Sequence, residues 1–244
     1  MKTIEVGIIL MVALFFCLPY HLYLVNLSKK HPEKAWFKAR KFVSGFFRTE
    51  LKISGCKVKI IGAQNIPKDG PALFVGNHRS YFDILVYHEA IGKPVGFLAK
   101  KEMLKLPLLP LYMKDIGCLF LDRNDIKQGL EVIKQATEYM KQGHSMIVFP
   151  EGTRNQTETL YPFREGGYKI AEKSKSPIVP VAVSGTNLML ESDPKKRIHS
   201  HEVVIEFGEP IYPTELSPKE RKETYAQFPA MIQAMRDSHN IKDY

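Results

Sequence analysis

The sequence predicts an α/β protein with a central, mostly parallel sheet flanked by helices, preceded by an N-terminal membrane-associated helical segment. Three observations predict it. Seven short apolar, β-branched runs are separated by stretches of helical pattern. Several of those runs lack polar alternation, as strands buried on both faces do. The charged residues that invite chemistry stand just past strand ends, where α/β sheets carry their sites. With 244 residues, 44% hydrophobic and 25% charged, the chain is long enough for one substantial core and is not disordered in composition. Two parts are expected, a membrane-associated segment over 1–53 and one globular domain over 54–244.

The first element is apolar. From Val6 to Ser28 no residue is charged, a run of 23. At about 1.5 Å per residue that is enough to cross a hydrocarbon core of roughly 30 Å. Pro19, His21 and Asn26 interrupt it, so a re-entrant or interfacial helix fits equally. A cleaved signal peptide has less support, since only Lys2 is basic ahead of the run and no small-x-small site follows. Between Lys29 and Arg48 stand seven basic residues and one acid, Glu33, a net +6 of the chain's +9. Trp36, Phe37, Val43, Phe46 and Phe47 interleave with these cations, as in a helix lying among lipid headgroups with its cytoplasmic side basic. No nucleic-acid motif accompanies the charge, and no nucleic-acid partner is expected.

The strands are predicted over Cys56–Ile61, Ala72–Val75, Val95–Ala99, Gly117–Leu121, Ser145–Phe149, Ile178–Val183 and Glu202–Phe207. Between them, Ile126, Leu130, Ile133, Thr137 and Met140 recur at helical spacing, with Asp125 as cap and Gly143 as stop. Ser217-Pro218-Lys219-Glu220 opens a last helix with a capping box, and Pro229 is expected to limit it. Leu104–Met113 holds two prolines and cannot span a membrane. Its leucines and Tyr112 are available to line an acyl groove or touch the interface, with core packing the commoner use.

The densest chemistry is in Asn77-His78-Arg79-Ser80-Tyr81-Phe82-Asp83. Five helical residues sweep roughly 500°, so His78 and Asp83 meet only if His78 precedes the helix that Ser80 caps. A neutral imidazole accepts a proton near neutral pH, and a carboxylate on its other nitrogen fixes the tautomer. Asp83 alone also fits a capping box. Two further strands each deliver a cation, Leu121-Asp122-Arg123 and Phe149-Pro150-Glu151-Gly152-Thr153-Arg154. An arginine's planar fork matches phosphate oxygens, Gly152 permits close backbone approach, and Thr153 adds a donor. Arg123 and Arg154 are alternatively solvated, or paired with Asp122 and Glu151. Glu151 is read either as holding a substrate hydroxyl or as orienting Arg154.

These blocks, in this order from about Gly70 to Val183, resemble the glycerolipid acyltransferases, whose commonest members are 1-acylglycerol-3-phosphate O-acyltransferases. The resemblance implies a glycerol-3-phosphate acyltransferase-like fold, with the catalytic domain over 54–244. It implies transfer of an acyl group from an acyl thioester, acyl-CoA or acyl carrier protein, to the sn-2 hydroxyl of 1-acyl-sn-glycerol-3-phosphate, giving phosphatidic acid. It further implies His78 as general base, Asp83 as its orienting partner, and Arg123 with Glu151, Gly152, Thr153 and Arg154 as the acceptor site. Membrane phospholipid and lysophospholipid are then the partners, and the cell membrane the location, with the catalytic domain on the cytoplasmic side. Phe163-Arg164-Glu165-Gly166 departs from the many relatives that carry lysine in place of the acid, so neither Arg164 nor Glu165 receives a role. Two alternatives stay open: an acyltransferase for another lysophospholipid, and a non-enzymatic phospholipid-binding membrane protein on the same scaffold.

Other classes lack their signatures. There is no Gly-x-Ser-x-Gly elbow, no Gly-rich loop ending in Gly-Lys-Ser/Thr, no dinucleotide glycine fingerprint and no His-Glu-x-x-His helix. No cofactor is indicated. Cys17, Cys56 and Cys118 are far apart and odd in number, which favours a reducing compartment. His199 and His201 are expected to share one strand face, but with no third ligand nearby a metal site is not expected.

Overall fold

The computed structural model describes residues 3–242. Lys2, the one basic residue ahead of the apolar run, lies outside them, as do Met1, Asp243 and Tyr244. Seven strands form one sheet: β1 (Lys57–Ile61), β2 (Leu73–Gly76), β3 (Val95–Lys100), β4 (Leu119–Leu121), β5 (Ser145–Val148), β6 (Ile178–Ser184) and β7 (Glu202–Phe207). Their order is β1-β7-β6-β2-β5-β3-β4, and every pair is parallel except β6 with β7. Each predicted strand is present, with ends differing by one or two residues.

Helices cover both faces, which is why the strands carry unbroken apolar runs. Along β2, Phe74 packs with α3 (Pro32–Ile53) and α4 (Phe82–Ile91) on one face. Its neighbours Leu73 and Val75 point the other way, to α6 (Ile126–Lys141), α7 (Lys169–Ser174) and α8 (Pro218–Ser238). Asp125 caps α6 by accepting from Gln128 N, and Ser217 and Glu220 close the capping box of α8. The helix stripe is only half buried, however. Val132, Ala136, Thr137 and Met140 are inside, whereas Ile126 is 82% exposed and Leu130 57%.

Pro229 does not limit α8, which runs through it to Ser238. An internal proline costs a helix about 3 kcal/mol. Here Tyr225 and Phe228 on one side of it and Ile232 on the other are buried against the sheet, and Arg236 donates to the Glu158 carbonyl, so packing holds the helix together across the proline. His199 and His201 both precede β7 instead of sharing it. His199 pairs with Asp193, and His201 bonds the Glu202 carbonyl.

The apolar run is broken into α1 (Thr3–Phe16) and α2 (Leu18–Ser28) ahead of Pro19. Among the described residues no helix is long and apolar enough to cross a membrane. Val12, Phe15, Phe16, Leu22, Tyr23 and Val25 are exposed, while His21 is buried in a 2.7 Å contact with Asp115 of α5 (Leu109–Asp115). Tyr112 of α5 donates to the Leu14 carbonyl, so this stretch of the Leu104–Met113 segment serves as a dock for the N-terminal helices. In α3 the aromatic residues mostly face inward. Phe47 stacks edge-on against His88, Trp36 covers Gly117 and His144, and only Phe37 of the expected interfacial set is exposed. A basic helix beside a globular domain thus spends its apolar stripe on that domain.

Burial lowers the pKa of His144 to about 3. Since the folded pKa lies below the unfolded value of about 6.5, the unfolded chain takes up the proton first, and stability falls as pH drops from about 6.5 toward 3. His144→Phe should flatten that part of a denaturation midpoint-versus-pH curve. An unchanged curve would remove His144 from the acid sensitivity.

Candidate active site

β2 ends at Gly76 because nothing larger fits: a Cβ there would stand 2.0 Å from the Tyr87 hydroxyl of α4 and 2.8 Å from the Val181 carbonyl. The next residue, Asn77, clips the chain to β6, donating to Val183 O and accepting from Val183 N at 2.9 and 2.8 Å. Only then does the chain turn. His78 lies before α4, as the 500° argument requires, and its Nδ1 is 2.7 Å from Asp83 Oδ2. That same oxygen accepts from Arg79 N at 2.6 Å and Ser80 N at 2.9 Å. The orienting and capping readings of Asp83 are therefore both realised. The helix starts one residue later than a Ser80 cap implies, and the Ser80 hydroxyl accepts from Phe82 N.

Asp83 is fully buried, and facing its carboxylate Nδ1 carries the proton of a neutral imidazole, which leaves the ring's lone pair on Nε2. Phe149 stacks on the ring at 4.3 Å and 13°, fixing its plane. Burial, with Asp83 and Glu151 nearby, holds the Tyr87 phenol well above its usual pKa, so it stays neutral.

Among the described residues Glu151 makes no hydrogen bond or ion pair to Arg154. Its carboxylate accepts from His78 N, Asn155 Nδ2 and Tyr161 N at 3.1, 2.7 and 2.9 Å, and Asn155 N returns a bond to His78 O. It ties the loop after β5 to the base-bearing turn. Glu151→Gln would set an amide N–H₂ against backbone or amide donors, and should lower stability by about 1–3 kcal/mol in thermal denaturation. Wild-type stability would contradict the bracing role.

The cations are divided by the Gly152–Thr153 turn. Gly152 has φ +74°, and a Cβ on it would lie 3.4–3.6 Å from the Arg123 guanidinium. Among the described residues Arg123 makes no hydrogen bond or ion pair, because Asp122 is taken by Lys101. Burial, and then the like charge of Arg164, lower its pKa below the usual arginine value, with Glu102 opposing them. Arg123 and Arg164 line a cavity of about 200 Å³ together with Asp122 and Asp125, and the rest of its wall is largely apolar, with Leu98, Leu121, Ile126, Ile133 and Phe149. No residue of Leu104–Met113 lines it, so the groove is built from strand ends and α6 instead. Arg154 faces a second cavity with Thr153, bonded to Glu191 at 3.0 Å and lying 3.7 Å over the Tyr81 ring. The two arginines thus serve neighbouring cavities, not one.

Sequence reasoning missed three participants. Phe149 was read only as the end of a strand, and Arg164 was left without a role. Glu191 is remote in sequence from everything it touches. The exposure of Ile126 at the start of α6 is the one local signal of this cavity, and it is visible only once the helix is docked.

The family model for acyltransferases matches residues 57–184 of this chain. A probable 1-acyl-sn-glycerol-3-phosphate acyltransferase of Mycoplasma pneumoniae is 33% identical over 81% of the chain and 80% of its own length. The 1-acyl-sn-glycerol-3-phosphate acyltransferase of Saccharomyces cerevisiae is 32% identical over 67% of the chain, which spans about half of that relative, 53%. The crystal structure of a 1-acyl-sn-glycerophosphate acyltransferase from Thermotoga maritima shares the fold, with TM-score 0.71, 24% identity, and coverage of 95% of this chain and 96% of that one. The catalytic-looking turn and the cationic loop both fall inside the matched region, and the chain belongs to the acyltransferase family.

Proposed function

We propose that the protein transfers a fatty acyl group from a thioester to the sn-2 hydroxyl of 1-acyl-sn-glycerol-3-phosphate, giving phosphatidic acid. The observation that carries this reading is the His78–Asp83 pair, stacked on Phe149, where Phe149 also forms a wall of a largely apolar cavity that carries the Arg123 and Arg164 guanidinium groups beside Asp122 and Asp125. A base, an apolar slot and an anion site are the three things a lysophosphatidic acid acylation needs. The names of the relatives point to the same acceptor.

In this reaction His78 Nε2 takes the hydroxyl proton as the oxygen attacks the thioester carbonyl. The C–S bond then breaks, and the imidazolium returns the proton to the departing thiolate. Asp83 keeps the ring oriented and stabilises its charged form. The acceptor's phosphate lies across the Gly152–Thr153 turn between the two cavities, with Arg123 on one side and Arg154 on the other, and Glu151 keeps that turn beside the base. The donor is acyl-CoA or acyl carrier protein, and no cofactor is required by these steps.

The enzyme works at the cell membrane, with residues 1–53 as the attachment and the catalytic domain on the cytoplasmic side. The exposed apolar residues of α1 and α2 sit next to a net +6 stretch, a pattern suited to an anionic lipid surface. The substrate makes such a location necessary, because a chain of about sixteen carbons holds a lysolipid in the bilayer by on the order of 10 kcal/mol. Purified full-length protein should convert lysophosphatidic acid and labelled acyl thioester into phosphatidic acid, identified by mass. Product from another lysolipid alone would move the acceptor assignment, and no transfer to any member of a lysolipid panel would end it.

A further inference from the structure

Glu191 belongs to the segment after β6 and is 37 residues from Arg154, yet its side chain is only 9% exposed and one of its oxygens closes the site. Oε1 accepts from Arg154 Nη1 and from Tyr81 N, both at 3.0 Å. The Arg154 guanidinium also lies over the Tyr81 ring, so arginine, tyrosine and glutamate form one packed unit. Its own backbone is held in turn, since Glu191 O accepts from Lys196 Nζ at 2.7 Å. Around this unit is a cavity of about 400 Å³, with Thr153, Gln156, Leu190 and Lys196 on its walls. Two cations and one carboxylate leave that cavity net positive.

We propose that Glu191 is a positioning residue for the acceptor, which rests on the function proposed above. It fixes Arg154 by Nη1 and leaves Nε and Nη2 to meet a phosphate. By bonding Tyr81 through the same oxygen, it keeps the base-bearing turn and the cation-bearing loop at one spacing. A free arginine side chain carries rotamer entropy that binding would otherwise have to remove. Ordering it beforehand appears as affinity. The opposite expectation is equally physical: a carboxylate beside Arg154 competes with an incoming phosphate, and its removal would tighten binding. The tyrosine contact favours positioning, because a simple competitor has no use for a backbone amide of the neighbouring turn.

The test is a double-mutant cycle on the full chain, with Glu191→Ala, Glu191→Gln, Arg154→Ala and the pair Glu191→Ala with Arg154→Ala. Glu191→Ala should raise the KM for lysophosphatidic acid about tenfold and lower kcat less than threefold, with the donor KM unmoved. Glu191→Gln retains an oxygen for Tyr81 N and Arg154, and should recover most of the loss. In the Arg154→Ala background, Glu191→Ala should add little. A KM for Glu191→Ala at or below wild type, or effects that simply add, would overturn the proposal. If wild-type protein does not acylate lysophosphatidic acid, the functional reading fails separately. The melting temperatures of the same four proteins then still decide the clamp, which requires non-additive shifts and is lost if they add.

Discussion

His78→Ala is expected to lose about 10² to 10⁴ in kcat/KM while folding normally. The loss follows from Nε2 being the base and from the Phe149 stack leaving no second group to replace it. The folding follows from the hydrogen bonds around Asp83. With the imidazole gone, Asp83 Oδ2 still accepts from Arg79 N and Ser80 N, so the turn and the first turn of α4 keep their partners. A circular dichroism spectrum and melting temperature near wild type, together with an acyl-transfer rate in that reduced range, are the joint expectation. Folded His78→Ala protein turning over at the normal rate would dismiss the base assignment.

Arg123→Ala is expected to cost roughly 1.5–3 kcal/mol in kcat/KM for the phosphate-bearing acceptor, about 10- to 150-fold. The reason is that Arg123 is half-buried beside Arg164, and Glu102 offsets that like charge only in part, an arrangement that an anion relieves. Arg123→Lys should fall between the two, because an ammonium supplies charge without the bidentate fork. Steady-state kinetics at varied acceptor concentration check this, and an unchanged dependence would show that phosphate is bound elsewhere.

What could be read from the sequence was the part set by local spacing. The strands were legible because burial on both sheet faces demands unbroken apolar runs. The His78–Asp83 contact was legible because five residues and a helix start determine it. Arg123 and Arg154 were legible as cations because each follows a strand. Relations between distant segments were not. Glu191 reaches Tyr81 across 110 residues, and Glu151 bonds the His78 amide 73 residues away. The course of α8 through Pro229 depends on the sheet beneath it, and the inward turn of Trp36 on the surface around Gly117 and His144. In both, tertiary packing outweighed a local rule.

Gly76 contributes no functional group, but the spacing between α4 and the sheet depends on its lacking one. An added methyl would be forced into the Tyr87 hydroxyl, pushing the whole α4 rod, with Asp83 riding on it, off its seat. Saturation libraries at this codon should therefore return a single viable amino acid. A mutational scan scored by turnover should flag this glycine beside the residues proposed to act on substrate.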